Sequence, residues 1–266
     1  MARAPLFALL TDFGVADGYA GVLHGVLARH CPAARVIDIT HQIPRHSVDD
    51  AAFVLWSVYR HFPPRTIFAC VVDPGVGTAR GLLALRTPRG QRFVAPDNGL
   101  LRYVLADEPC AQGVHVCWQD LKLRRLSQTF HGRDVIAPAA AALARGVALK
   151  KLGPVCALGE RAEPLAAAPP VAGREWHPAR IVHADQFGNL ITNVPTGTAV
   201  ARLRVRRRVI ARRVQAYADG AGTPLCIVPG SAGMWEIAAW QASAQEIVQA
   251  GTGTVISFSL CAEARR

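Results

Sequence analysis

The first half of the chain alternates between two spacings of apolar residues. Short apolar runs that predict buried strands lie at residues 5–11, 35–40, 66–70, 82–85, 93–95 and 114–118. Apolar positions at helical spacing predict a helix that Asp17 caps and that ends at Cys31, a helix over 51–59 opened by a capping box at 47–50, and an alanine-rich helix over 136–145. Strands that alternate with such helices indicate an α/β fold with a mainly parallel sheet covered on both faces.

The second half is patterned differently. Short β-rich runs at 179–183, 190–192, 203–214, 225–228, 235–239 and 254–258 predict a smaller C-terminal β domain, either a sandwich or a barrel. Residues 163–175 are rich in proline and alanine and lack periodicity, which is typical of a linker. The predicted organisation is an N-terminal α/β domain over 1–162, the linker, and a C-terminal β domain over 176–266.

Polar residues stand where several predicted strands end. Asp12 follows the first strand, Asp73 the third, and Asn98 the fifth. Ligands of parallel α/β sheets bind beyond the carboxyl ends of the strands, so these positions are expected to converge on one edge. The segment DPGVGT at 73–78 has an alternative reading as an ordinary tight turn, because glycine and proline are the commonest turn residues. Three separate strand ends meeting at one edge favour a ligand site.

Two further segments carry candidate residues. His131 lies next to a glycine just before the alanine-rich helix, a position that suits either a ligand-facing histidine or a satisfied structural one. In the second half, the segment DQFGN at 185–189 has Phe187 between Asp185 and Asn189. A plain hairpin turn accounts for the glycine and asparagine of this segment but not for Phe187.

Composition limits the class of protein. The chain has 266 residues, is 51% hydrophobic and 18% charged, and can therefore bury a sizeable core. No apolar run reaches the roughly 18 residues of a membrane helix, and residues 1–5 lead directly into a strand pattern rather than a signal peptide. Seven scattered cysteines without C-x-x-C spacing indicate neither a disulfide framework nor a zinc site. We therefore expect a cytoplasmic protein with no metal ligands and no membrane partner.

The net charge of +11 raises the question of nucleic-acid binding. Three of the thirty basic residues are lysine, and the arginines are densest at 202–208. There Arg202, Arg204, Arg206 and Arg208 alternate with Leu203, Val205 and Val209, which predicts a strand with one solvated face. A recognition surface is the alternative interpretation. We expect the solvated face and no nucleic-acid partner.

Five ordered motifs carry a family resemblance. They are LTDFG at 10–14, DPGVGT with the following Arg80 at 73–80, APDNG at 95–99, FHGRD at 130–134 and FGNLITN at 187–193. In this order they resemble the S-adenosylmethionine hydroxide adenosyltransferase family, hydrolases related to the fluorinase and chlorinase enzymes. The resemblance covers about residues 6 to 240. It implies an N-terminal α/β domain, a C-terminal β-barrel-like domain, and a homotrimer with sites between the N-terminal domain of one subunit and the C-terminal domain of the next.

The chemistry that the resemblance implies is hydrolysis of S-adenosyl-L-methionine, without a cofactor, to adenosine and L-methionine. Attack at the 5′ carbon needs no acid on the sulfonium side, but water must be held in line and deprotonated. By resemblance, Asp73 and His131 hold the water and accept its proton, and Arg80 orients them and stabilises hydroxide. Asp12 receives the ribose diol. The other implied substrate-binding residues are Phe130 and Phe187 for the nucleoside, Asp17, Asn98, Asp185 and Asn189 for adenine or the methionine end, and Ser231 and Glu236 near the C-terminal pattern.

Some features depart from the family pattern or leave alternatives open. The family usually has an aromatic residue near His46, and residues 231–236 match only loosely. The DFG at 12–14 also resembles a protein-kinase element, but no glycine-rich loop, strand lysine or His-Arg-Asp loop accompanies it. A chloride-using adenosyltransferase and a non-catalytic S-adenosylmethionine or nucleoside binder stay open. The halogenating relatives have an added loop and other residues at the triad positions, so water is the expected nucleophile.

Overall fold

The computed structural model describes residues 4–119 and 126–261. The chain divides into two compact units, Met1–Glu163 and Pro164–Arg266. The predicted linker at 163–175 spans this division, and part of it packs on the second unit. Leu165 is buried, and the amide of Ala167 donates to the carbonyl of Asn193 at 2.7 Å.

The first unit is built on a six-stranded sheet. Its strands are β1 (Leu6–Thr11), β2 (Arg35–Thr40), β3 (Ile67–Val71), β4 (Leu82–Arg86), β5 (Arg92–Pro96) and β6 (Gln112–His115), in the spatial order β2-β1-β3-β5-β4-β6. The helices are α1 (Tyr19–His30), α2 (Val48–Tyr59), α3 (Arg102–Asp107) and α4 (Ala137–Ala144). Strands β2, β1, β3 and β5 pair in parallel, whereas β4 is antiparallel to both of its neighbours. The predicted mainly parallel sheet is confirmed.

The sheet is covered on both faces, as predicted. All of β3 is buried, and its alternate residues enter two different cores. Ile67 and Ala69 pack in the cluster that contains α1 and α4, and Phe68 and Cys70 pack in the cluster that contains α2 and α3. Since burying one large aliphatic or aromatic side chain contributes about 1.5–3 kcal/mol, the two faces together hold β1, β3 and β5 at the centre of the unit.

Helix boundaries differ from the prediction in three places. The N-cap of α1 is Gly18 and no side chain caps it, so the predicted cap by Asp17 is wrong, and Asp17 is exposed. Helix α2 begins at Val48 because the Ser47 hydroxyl already accepts from the amide of Asp50 at 3.3 Å. The helix predicted at 136–145 is preceded by a π-helical turn, Gly132–Ile136, whose N-cap is His131.

The second unit is an antiparallel β structure. Its strands are β7 (His177–Ala184), β8 (Leu190–Pro195), β9 (Val200–Val205), β10 (Arg208–Ile210), β11 (Cys226–Pro229), β12 (Met234–Ala238) and β13 (Val255–Leu260), with one short helix, α5 (Ala244–Val248). Their order is β10-β9-β13-β7-β8-β12-β11. Arg213, just after β10, bridges to Ile227 of β11, so the two edges approach each other and the sheet is nearly closed. The predicted barrel-like domain is confirmed.

The arginine-rich segment is a hairpin rather than the single strand predicted over 203–214. Strands β9 and β10 pair antiparallel, and Arg206 lies between them with a positive φ of 52°. Arg204 and Arg202 of β9 stack on Trp176, with their guanidinium carbons 3.7 and 5.0 Å from the ring centroid. Alternation along the sequence could not reveal the reversal, because the arginines continue through the turn.

Candidate active site

The carboxyl ends of three adjacent parallel strands bring the predicted residues of the first unit together. Asp12 directly follows β1, Asp73 follows β3 by two residues, and Asn98 follows β5 by two residues. Because β1, β3 and β5 are neighbours in the sheet, these residues share one edge. The convergence predicted from the strand pattern is therefore present.

Asp73, Arg80 and His131 form a connected cluster at this edge. Arg80 donates from Nε to Asp73 Oδ1 at 2.8 Å, and its Nη2 also contacts Asp73 Oδ2. The same Nη2 lies 2.8 Å from His131 Nδ1. The side chains of Asp73 and Arg80 are only 5% and 11% exposed, and His131 is 7% exposed. Burial strengthens these charge-assisted hydrogen bonds, which hold the two residues of the turn after β3 and His131 of a distant segment as one unit.

The turn after β3 is shaped to return Arg80 to Asp73. The Thr78 hydroxyl donates to the Gly75 carbonyl at 2.7 Å, and the amide of Arg80 donates to the Thr78 hydroxyl at 3.3 Å. A Cβ at Gly75 would lie 3.2 Å from Arg80 Cγ and 3.8 Å from Asp73 Oδ1. Glycine at this position leaves room for the arginine to fold back over the turn.

The direction of the hydrogen bond between Arg80 and His131 assigns the histidine tautomer. A guanidinium group can only donate, so His131 Nδ1 must be the acceptor. Neutral His131 therefore carries its proton on Nε2. In this arrangement the Nδ1 lone pair is already occupied by Arg80.

Asp134 positions His131, and the sequence motif did not identify this role. The amides of Leu126 and Ser127 both donate to Asp134 Oδ2 at 2.9 Å, and Arg133 Nε donates to Oδ1 at 2.6 Å. Burial disfavours ionisation of Asp134, but the hydrogen bonds from Arg133, Ser127 and Leu126 outweigh it and keep the pKa of this carboxyl below its usual value. The ionised Asp134 thus anchors the segment before His131 to the π-helical turn after it.

The remaining predicted residues of the first unit differ in their surroundings. Asp12 Oδ2 accepts from the amide of His46 at 2.9 Å, and His46 itself is exposed. Asn98 donates from Nδ2 to the carbonyl of Val72 at 2.9 Å, and its Oδ1 accepts from the amide of Leu100 at 3.2 Å. Asn98 therefore braces the chain immediately before Asp73.

Phe130 is one of three aromatic side chains in mutual contact. Its ring centroid lies 5.7 Å from that of Phe13 and 5.4 Å from that of Tyr19, and Phe13 and Tyr19 are 5.8 Å apart. Tyr19 is half exposed. The three rings together form an apolar surface. The sequence did not predict Phe13 and Tyr19 as its members, because the helical spacing of apolar residues assigned Tyr19 to the buried face of α1.

In the second unit, Asp185 organises the turn that carries Phe187. Asp185 Oδ1 accepts from the amides of Phe187 and Asn189 at 2.9 and 2.8 Å, and Oδ2 accepts from Asn189 Nδ2 at 2.9 Å. Gly188 has a φ of +80°, and a Cβ there would lie 2.2 Å from Ser243 Oγ. The turn therefore satisfies its own polar groups while Phe187 stays 70% exposed.

Glu236 and Ser231 lie around the hairpin of β11 and β12. Ser231 is exposed, whereas Glu236 is 5% exposed and its Oε2 accepts from the Tyr217 hydroxyl at 2.7 Å. Burial raises the pKa of Glu236, the bond from Tyr217 partly offsets this, and the nearby Asp185 charge adds to it. Burial and the same carboxylate also raise the pKa of Tyr217. Tyr217 has no place in the five motifs and was not predicted.

Cavities do not all coincide with this chemistry. A cavity of about 310 Å³ is lined by Arg80, His131, Thr78 and His115 among others, and so borders the cluster. A larger cavity of about 720 Å³ is lined by Arg86 and Arg92, which pair across β4 and β5 at the end of the sheet away from Asn98. Its lining includes Lys150 and Cys156 but no aspartate, glutamate or histidine among the described residues, whereas the smaller cavity is bordered by two histidines, His115 and His131. One group of potential metal ligands, His24, Asp38 and His41, lies elsewhere in the first unit.

Comparison with known proteins identifies the family. The model of the SAM hydroxide adenosyltransferase N-terminal domain matches residues 7–153, and that of the C-terminal domain matches residues 179–257. The chain belongs to the S-adenosylmethionine hydroxide adenosyltransferase family. The predicted resemblance is thereby confirmed, and the matched spans contain every predicted site residue of both units.

Relatives and solved structures agree with this family assignment. The chain is 38% identical over 247 residues to the (R)-S-adenosyl-L-methionine hydrolase of Salinispora arenicola (strain CNS-205), covering 90% of this chain and 91% of that protein. It resembles the crystal structure of an uncharacterized conserved protein from Thermotoga maritima with a TM-score of 0.83 and 35% identity, over 95% of this chain and 99% of that one. The fluorinase of Nocardia brasiliensis (strain ATCC 700358 / HUJEG-1) is 28% identical over 173 residues, 57% of this chain and 58% of that protein.

The raised pKa of Glu236 predicts a pH-dependent stability. Between the ordinary pKa of a glutamate and the raised pKa of Glu236, the carboxyl is ionised in the unfolded chain but still protonated in the folded protein. The folded state therefore binds more protons in this interval, and the free energy of unfolding falls as pH rises through it. Glu236→Gln keeps an acceptor for Tyr217 and removes the charge. Its melting temperature should match that of the unsubstituted protein below this interval and exceed it above the interval, measured by thermal unfolding from about pH 4 to about pH 8.

The matched control is Glu246→Gln, because Glu246 is exposed in the first turn of α5. It should show no gain that grows with pH. Parallel curves for the two variants would contradict the assignment of the charge penalty to Glu236.

Proposed function

We propose that the protein is an enzyme that hydrolyses S-adenosyl-L-methionine to adenosine and L-methionine. The observation that carries this proposal is the buried cluster of Asp73, Arg80 and His131 at the carboxyl end of β3 in a chain of the S-adenosylmethionine hydroxide adenosyltransferase family. The names of the curated relatives, (R)-S-adenosyl-L-methionine hydrolases, support the same reaction. A new bond forms between water oxygen and the 5′ carbon, and the carbon–sulfur bond breaks with its electrons leaving on sulfur.

The demands of this reaction fit what the three side chains offer. The sulfonium leaves as a neutral thioether without protonation, so the protein must supply the nucleophile. Arg80 provides positive charge, and His131, with its proton on Nε2, provides a donor hydrogen; both would stabilise hydroxide. Asp73 keeps carboxylate lone pairs beyond those that face Arg80, so we assign it as the acceptor of the proton from water. This revises the sequence-based hypothesis, in which His131 shared that role.

The other residues would hold the substrate. We propose that the Asp12 carboxylate accepts from the ribose hydroxyls and that the aromatic cluster around Phe130 contacts the nucleoside. Phe187 offers a second apolar surface in the second unit. Asn98 and Asn189 donate to groups of the protein itself, which favours a positioning role for both. Asp17, Asp185, Ser231 and Glu236 stay predictions for the adenine and methionine ends.

Neither a metal nor a cofactor is proposed to take part in bond making. The substrate already contains its activated leaving group, and the guanidinium of Arg80 supplies the positive charge that a metal ion would otherwise supply to hydroxide. Turnover below the melting temperature is therefore expected to survive exhaustive chelation.

The cellular setting is also a proposal. Among residues 4–119 and 126–261, no helix has the length and apolar character to cross a lipid bilayer. All seven cysteines lie in the described part of the chain and carry free thiols, which fits a reducing compartment. We propose a cytoplasmic location. We propose no nucleic-acid partner, because Arg202 and Arg204 are engaged with Trp176 and, for Arg202, with Glu175 at 2.9 Å.

Product analysis tests the reaction. Purified protein incubated with either sulfonium epimer of S-adenosyl-L-methionine should release adenosine and methionine in equal amounts, faster from the (R) epimer that the relatives' names specify. Chromatography measures both products. In heavy-oxygen water the label should appear in the 5′ hydroxyl of adenosine, because the attack is at that carbon.

Two outcomes would separate this proposal from its alternatives. A 5′-chlorinated nucleoside formed in chloride buffer would favour the chloride-using adenosyltransferase, with which the fluorinase relatives are consistent. Saturable binding with unchanged substrate would favour a non-catalytic binder.

Substitutions in the cluster test its role. Asp73→Asn, Arg80→Ala and His131→Ala should each lower turnover by roughly 10²-fold to 10⁴-fold, the range of positioned acid-base groups. The double variant Asp73→Asn/His131→Ala should lose little more than either single one, because the residues act as a unit. Single-turnover kinetics measures these rates, and calorimetry measures substrate affinity, which should change far less.

Two matched variants sharpen this test. Asp12→Ala should mainly weaken binding, and His61→Gln, at an exposed position, should change neither quantity. Near-normal turnover in Asp73→Asn and His131→Ala, or fully additive losses in the double variant, would refute the cluster as the group that activates water.

The assembly is proposed to be a homotrimer, as the family resemblance implied. A strongly exposed Phe187 is consistent with a surface that another copy covers. Light scattering should give three times the 28.5 kDa chain mass, and a monomeric mass with full activity would contradict it.

A further inference from the structure

Three potential metal ligands meet beside the carboxyl end of β2. His24 projects from α1, Asp38 belongs to β2, and His41 follows that strand by one residue. His24 Nε2 lies 2.8 Å from Asp38 Oδ1, His41 Nε2 lies 3.1 Å from the same oxygen, and all three ligand atoms lie within 4.8 Å of one another. None of these residues belongs to the proposed catalytic cluster.

Two of the three distances between these atoms are close to those of a tetrahedral metal site, and the third is at most 4.8 Å. Ligand atoms about 2.0–2.1 Å from a tetrahedral Zn²⁺ are separated from each other by about 3.3 Å. Two imidazole nitrogens and one carboxylate oxygen form a common ligand set for zinc and its neighbours in the transition series. Rotation of the partly exposed His24 side chain would shorten the third distance and place one ion between the three atoms.

His41 shows the clearest sign that a ligand is expected here. It is 7% exposed, and its Nε2 is buried without a hydrogen-bond partner in the described part of the chain, since its approach to Asp38 is close in distance but out of line. Leaving a buried polar atom unsatisfied costs roughly 1–3 kcal/mol. The other ring nitrogen, Nδ1, lies 2.9 Å from Thr11 Oγ1, an interaction that fixes the ring with Nε2 facing Asp38.

The opposite side of the cluster is accessible. The side chains of His24 and Asp38 are 38% and 42% exposed, so an ion can enter from solvent and keep water in its remaining position. Three protein ligands plus water is a usual arrangement for a site open to solvent.

We propose that His24, Asp38 and His41 bind a divalent transition-metal ion of the Zn²⁺ class. The ion would tie α1 to the end of β2 and the residue that follows it. The carbonyl of His41 already accepts from the amide of Gly14 at 2.7 Å, two residues beyond Asp12. Metal binding would thus stabilise the backbone around the proposed ribose-binding carboxylate without entering the reaction.

Calorimetric titration of chelator-treated protein with ZnCl₂ tests the site. The full chain should bind one Zn²⁺, and its melting temperature should rise with metal concentration because the ion binds the folded state. His24→Gln and Asp38→Asn should each weaken binding by at least about tenfold and abolish the thermal shift. Both side chains are more than a third exposed, so these near-isosteric changes leave the core intact, which circular dichroism verifies.

Two controls separate this site from adventitious binding. His61→Gln removes an exposed histidine and should bind as the unsubstituted chain does. Co²⁺ in place of Zn²⁺ should give a visible band without the thiolate charge-transfer absorption that coordination by a cysteine such as Cys110 would produce. Undiminished binding in His24→Gln and Asp38→Asn, thiolate absorption, or no saturable binding would each overturn the proposal. None of these measurements uses substrate, so their outcome is independent of the hydrolysis test.

Discussion

The site depends on the hydrogen bonds that the guanidinium of Arg80 makes to Asp73 and His131. Its planar fork engages the Asp73 carboxylate and also reaches His131 Nδ1, while the side chain is 11% exposed. Ionised groups at such burial are tolerated only when they are paired, because removing either charge leaves the other desolvated. The arginine therefore links a strand end, a glycine turn and a helix start, and it determines which nitrogen of the histidine carries the proton.

The surrounding fold fixes the positions of the segments that carry these side chains. Strand β3 is buried along its length between two hydrophobic cores, so Asp73 emerges at a defined height on the sheet. The Asp134 carboxylate holds the segment before His131 through two backbone amides. A protein with a net charge of +11 that handles a sulfonium cation must offset its overall field locally, and Asp12 at this edge supplies negative charge that no described arginine or lysine contacts.

Residue type and alternation along the sequence did not predict two local features and one long-range contact of the first and second units. Asp17 has the residue type of a helix cap, but α1 begins at Gly18–Tyr19 with Asp17 left in solvent. The arginine run keeps its alternation through a reversal of direction, so one strand was predicted where β9 and β10 form a hairpin. His24 is separated from Asp38 and His41 by the chain connecting α1 to β2, and a search for ligands at short spacing could not unite them.

The sequence alone determined the class of the two halves, most strand positions, the convergence of Asp12, Asp73 and Asn98, and the family. These follow from local periodicity and from the rule that neighbouring parallel strands end at one edge, which need no side-chain coordinates. Tertiary structure alone decided that Asn98 hydrogen bonds to Val72, that Tyr19 joins Phe13 and Phe130, and that Tyr217 meets Glu236. The physical reason is that hydrogen-bond partners and proton positions depend on distances of a few tenths of an ångström between residues far apart in the chain, and only the packed fold sets those distances.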